Sequence, residues 1–309
     1  MDTSTSSMQD KPAGWNFIRK LMDNPIITKE LKSRMRGRQG FVMLTVYLAL
    51  ISLVIAGMYI YSTNNGNISR SDPDSLQSLG KLIFSTVVML EFLMIIFIGP
   101  ALTSGAISSE RERGTFDLLR TTLLSSRALV LGKLGSAVMY LLLLIFTALP
   151  LQSVAFFLGG VGMAEMTISV VMLAASTLLF CTLGIYFSSM AKRTVIATIL
   201  SYASLIFPVV ILGSLYLLLD NDDIDIYSLS TEEENLIILF IWTLLSTNPF
   251  TAAFVSEIML VEEQNLFVFF IPDYPLALFS PWILYTVFSV AMTVLMIWLI
   301  VFYLNRYER

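Results

Sequence analysis

Six stretches of this chain are each long and apolar enough to cross a lipid bilayer, and that property leaves it few folds. About twenty apolar residues cross the hydrocarbon core as a helix. Runs of that order occupy Val42 to Tyr61, Leu79 to Thr103, Leu134 to Leu158, Met166 to Met190, Val195 to Leu219 and Trp282 to Leu304. Because lipid offers no hydrogen bonds, each stretch must satisfy its own backbone, so a helix is expected for each. The fold class is all-α, a polytopic membrane protein of six transmembrane helices. Pro150 and Pro208 fall inside the third and fifth stretches. Each removes a backbone donor and is expected to kink its helix, which a helical bundle tolerates.

The basic residues orient the spans. Of 19 Lys and Arg, 17 fall into four groups: before Phe41, between Ser104 and Lys133, at Lys192-Arg193, and at Arg306 and Arg309. All four lie on one side if six helices cross between them. The segment from Asp220 to Pro281 has no Lys or Arg and eleven Asp and Glu. Short basic loops stay cytoplasmic, so both termini are expected inside the cell membrane and residues 220–281 outside. The formal net charge of −4 averages a basic inner face and an acidic outer one and identifies no partner.

Composition narrows the chemistry. Charged residues make up 14% and the mean hydropathy is +0.77, far from the roughly 25% charged residues of soluble domains. The basic residues flank spans and form no soluble basic domain, so nucleic acid is not a partner. There is no histidine, which removes His-dependent triads and His metal sites, and the single cysteine, Cys181, has no intrachain partner. The first apolar run begins about forty residues in, too late for a cleavable signal peptide, so the amino terminus is expected to be retained. Residues 1–23 read as a flexible cytoplasmic terminus. No inverted internal repeat is visible.

The outer segment contains a second apolar run, Leu236 to Leu245, too short to cross and read as re-entrant or interfacial. Asn248-Pro249 has the form of an N-cap and first helical residue. With the aromatic run Leu266 to Ile271, it predicts short outer helices before the last span.

Two inner elements and one intramembrane residue draw attention. Asn24-Pro25 opens an amphipathic N-terminal helix, over 24–40, with Ile27, Leu31 and Met35 on one face and Lys29, Lys32 and Arg36 on the other. The second element is Ser109 to Leu123, where Ser109 and Glu112 have the spacing of a capping box. Gly114 is costly inside a helix, and its presence predicts close approach of another backbone or a partner surface. Phe116, Leu119 and Leu123 share an apolar face that a partner protein would cover, or that would rest on lipid. Glu91 sits centrally in the second stretch, where a carboxylate is expensive. It either holds helices together, through a hydroxyl such as Tyr140 or Ser176, or lies on a translocation path.

These residues resemble the membrane-spanning permease subunits of type 2 ABC exporters. The likeness rests on Asn24 to Arg38, similar to the helix by which that family's chain approaches the membrane, and on Glu110 to Lys133. In the latter, Glu110 or Glu112, Gly114-Thr115, Asp117, Leu118-Leu119, Thr121-Thr122 and Gly132-Lys133 follow the family's order, while Leu123 stands where the family usually has proline. The resemblance implies a cytoplasmic coupling helix, 109–123, whose Glu110, Arg111, Glu112, Arg113, Gly114, Thr115, Phe116, Asp117 and Leu119 meet a separate ATPase subunit. ATP and Mg would bind that partner, and a second permease copy or paralogue would complete the complex. This chain lacks a phosphate-binding loop, since Arg127 and Leu134 occupy positions around Gly132-Lys133 where glycine and Ser/Thr are required. The alternatives are a non-ABC carrier or scaffold and, with few polar groups at membrane depth to support it, a membrane-embedded enzyme.

Overall fold

The structure is a computed structural model that describes residues 30, 38–64, 73–115, 126–219, 231–262, 267–270 and 277–306. Its long helices are α1 (Arg38–Asn64), α2 (Pro73–Thr103), α4 (Ser126–Phe157), α5 (Met163–Met190), α6 (Thr194–Leu219) and α9 (Pro281–Arg306). Among the described residues these six are long and apolar enough to cross a membrane, and each matches one expected span, the third ending at Phe157 and not Leu158. A five-residue helix, α3 (Ser108–Glu112), follows α2. Pro150 and Pro208 lie within α4 and α6, and Pro100 lies within α2.

The bundle is built around α5, which packs on α2, α4, α6 and α9. Phe92, Leu141, Leu173, Phe180, Tyr285 and Ile300 fill its interior. Among TM helices, where lipid supplies no hydrophobic drive, close packing and interhelical hydrogen bonds hold the assembly. Gly184 illustrates the packing: a Cβ there would overlap Thr103 Oγ1. The hydroxyls of Ser176 and Tyr285 join α5 to α9 at 2.7 Å, and Tyr202 donates to the Phe97 carbonyl at 2.6 Å, joining α6 to α2. α1 and α6 are the least enclosed spans.

Outside the six spans, α7 (Thr231–Thr247) and α8 (Pro249–Glu262) meet at a 105° bend. Asn248 caps α8 as expected, accepting the Phe250 amide at 3.0 Å. By length and composition this bent pair has the form of a re-entrant loop or of a broken span. The aromatic run corrects the expectation of a further helix. Val268–Phe270 (β1) pairs antiparallel with Ala277–Phe279 (β2), placing Phe269 opposite Leu278. Trp242 Nε1 pins this hairpin to α7 by donating to the Phe279 carbonyl at 2.9 Å.

Candidate coupling site at one end of the bundle

Where α2 ends, the chain makes one turn, with Ala106 N donating to Thr103 O at 2.9 Å, and restarts as α3. A helix start leaves backbone N–H groups without intrahelical partners. Here Ser188 of α5 supplies one acceptor for two of them, its Oγ taking the Ile107 and Ser108 amides at 2.9 and 3.0 Å. The expected Ser109–Glu112 capping box does not form. Ser109 Oγ instead donates to Gly105 O, and α3 has no side-chain cap of its own.

The Glu112 carboxylate serves a different helix. Its oxygens accept the Thr194 amide at 2.9 Å and the Thr194 hydroxyl at 3.0 Å. Thr194 is the first residue of α6, so an anion sits at that helix's positive end, where the macrodipole favours it. Arg111 Nη1 reaches the Ala191 carbonyl at 3.5 Å, so α3 also lies against the connection between α5 and α6.

A buried lysine ties α3 to α4. Lys133 is only 7% exposed, and its ammonium donates to the Ala106 carbonyl and to Glu110 Oε1, both at 2.6 Å. A second carboxylate, Glu30 Oε1, stands 3.6 Å away, and Glu30 Oε2 accepts the Ser136 hydroxyl at 2.8 Å. An unpaired ammonium here would carry a large desolvation cost, so the two carboxylates and the carbonyl make this burial tenable. The hub joins the segment preceding α1, the turn after α2, α3 and α4 through one side chain.

α3 ends at Glu112, with Gly114 in the turn that follows, and here the expectation of one helix over 109–123 is corrected. Thr115 N donates to Glu110 O and Gly114 N to Arg111 O, the paired bonds of a Schellman C-terminus, with Gly114 at φ +68°. The helix therefore stops at Glu112 and does not run unbroken from Ser109 to Leu123. No described atom of the chain lies within 4 Å of where a Gly114 Cβ would stand, so within the described residues the glycine answers its left-handed backbone and no other backbone crowds it.

Glu110, Arg111, Glu112, Arg113, Gly114 and Thr115 are thus gathered on α3 and its C-terminal turn. Glu112 to Thr115 are exposed beside exposed Lys192 and Arg193. Phe116, Asp117 and Leu119, and Ile27, Leu31 and Met35 of the amphipathic N-terminal helix, lie outside the described residues. Glu91 is 19 residues before Glu110, about 29 Å along a helix, and is 1% exposed. Its partners are not Tyr140, which bonds Met43 Sδ, or Ser176, which bonds Tyr285. Gln152 Nε2 of α4 donates to Glu91 Oε2 at 2.8 Å, and Tyr47 of α1 faces the same carboxylate. Sequence reasoning missed Glu30, Gln152, Ser188 and Thr194. Lys133 entered it only as part of Gly132-Lys133. A lysine in the apolar surroundings of α4 was the signal that could have singled it out.

Six membrane-length helices with a short helix locked to one end of the bundle fit a membrane permease component. Residues 24–307 match the sequence profile of the ABC-2 family transporter protein, and the chain belongs to that family. No curated protein matches the chain.

Proposed function

We propose that this protein is the membrane-spanning permease subunit of an ATP-driven ABC exporter, moving a substrate across or out of the cell membrane. ATP and Mg bind a separate ATPase subunit whose closure is delivered to α3. The observation that carries this reading is the anchoring of so short a helix. Through Lys133, Ser188 and Glu112, α3 is bonded to α4, to α5 and to the start of α6, so displacing it displaces three spans. Its exposed end, Glu112 to Thr115, is the part left for the partner to grip.

In this reading both termini and α3 are cytoplasmic, and α7, α8 and the hairpin lie on the outer side. A second permease copy or paralogue completes the path. Glu91, enclosed between α1, α2 and α4, serves here to pack those helices. A place on the path is the competing role, separated from packing by the Glu91→Gln variant described below.

The test is co-expression with an ABC ATPase encoded beside this gene, in a Cys181→Ala background carrying Thr115→Cys. We expect the ATPase to copurify, to hydrolyse ATP faster with the permease present, and to crosslink through position 115. An ATPase that copurifies without crosslinking from this turn would place the contact elsewhere, and one that never associates would remove the ABC assignment of partner.

A further inference from the structure

At the opposite end of the bundle from Lys133, α2, α5, α7 and α8 enclose an apolar groove of about 1060 Å³. That is the upper range for small-molecule sites. Its walls include Leu82, Met89, Leu93, Ile168, Met172 and Phe254, and its extent along α2 runs from Ser78 to Leu93. Fifteen residues of helix rise about 22 Å, matching half of a bilayer about 40–45 Å thick with headgroups included. The groove is thus one leaflet deep. It is open on one side, and Leu82, Met89 and Phe254 are exposed.

Two charged side chains line it, Lys81 and Glu165. The Glu165 carboxylate accepts the Gly162 amide at the start of α5, so its charge is engaged with that helix's positive end. Lys81 forms no ion pair among the described residues. It lies eight residues from Pro73, about 12 Å along α2, within reach of the headgroup layer for a long side chain that extends toward water.

We infer that this groove is a binding site for an anionic lipid of the outer leaflet, its acyl chain lying along α2 from Leu82 to Leu93 and its headgroup on the Lys81 ammonium. A helix of a second copy would cover the apolar walls but leave Lys81 facing hydrocarbon without a counter-charge. A lipid with a net negative headgroup satisfies both. Only the choice of leaflet rests on the orientation proposed above; the site itself is independent of any contact with an ATPase.

The test places the full chain in nanodiscs of equal parts phosphatidylcholine and phosphatidylglycerol and counts retained lipids by native mass spectrometry. We expect the parent to retain phosphatidylglycerol with about fivefold preference, the order expected for one lysine near a headgroup. Lys81→Gln should retain lipid without that preference, and Met89→Trp, which fills the middle of the groove, should lose it. Equal retention of both lipids by the parent, or an unchanged preference in Lys81→Gln, overturns the proposal. So does efficient crosslinking between copies through Met89→Cys in the Cys181→Ala background, which would assign the groove to a second chain. ATPase copurification, read separately, tells failure here from failure of the coupling assignment.

Discussion

The Lys133 ammonium lies 2.6 Å from the Glu110 carboxylate although 23 residues separate the two in sequence. Removing one member of such a pair leaves the other's charge in a poorly solvated site. Lys133→Met is expected to destabilise the chain by on the order of 3 kcal/mol, seen as a lowered melting temperature in detergent. Adding Glu110→Gln should recover part of that loss, because fewer unpaired charges remain. A double variant no more stable than Lys133→Met would show that the pair is not coupled.

Glu112 caps a helix that begins 82 residues later. Glu112→Ala should cost the first turn of α6 about 1 kcal/mol, so amide exchange at Thr194 should accelerate about fivefold. Exchange in α9, which takes no part in the Glu112–Thr194 hydrogen bonds, should stay at the parental rate and serves as the internal control.

The left-handed backbone at Gly114 orders its substitutions. Asn tolerates this conformation, whereas a β-branched residue opposes it by about 1–2 kcal/mol. Gly114→Asn should therefore bind the ATPase nearly as the parent does, and Gly114→Val roughly tenfold more weakly. Equal affinities would show that the partner does not require this turn.

Glu91 and Gln152 form a pair enclosed on all sides, and neither Glu91 Oε1 nor Gln152 Oε1 has a hydrogen-bond partner. Gln152→Leu removes the donor and should destabilise by about 2 kcal/mol, while Glu91→Leu with Gln152→Leu should come close to the parent. Glu91→Gln keeps the shape and should preserve cargo-stimulated ATP hydrolysis. Normal assembly with that stimulation lost would move Glu91 onto the path.

The charge asymmetry predicts labelling. In the Cys181→Ala background, Asp223→Cys should react with an impermeant maleimide on intact cells, and Ser126→Cys only after permeabilisation. External labelling of position 126 would invert the orientation.

The spans were legible because a stretch of twenty apolar residues in a chain this apolar has one economical outcome, and Asn248 was legible because capping is local. The strands were not: three residues such as Val268 to Phe270 carry too little alternation to declare themselves, and the run's aromatic character fits a helix as well. Gly114 was conspicuous in sequence, but its cost in a helix has two causes, crowding or a positive φ, that only coordinates separate. The pairings between helices were hidden for a different reason. Lys133 with Glu110, Glu112 with Thr194 and Glu91 with Gln152 each join different helices, and residue spacing reports only neighbours within one.

From Asp74 to Glu112 the chain forms a helical run of 39 residues, interrupted only by the turn at 104–107. Such a run is about 58 Å long, so a tilt of only 5° displaces one end against the other by about 5 Å. Glu110 stands at one extremity and the walls from Ser78 to Leu93 toward the other. α2 is therefore a lever: a small angular input at the Glu110 end arrives at the groove end as a displacement comparable to the width of a side chain, without any other helix having to relay it.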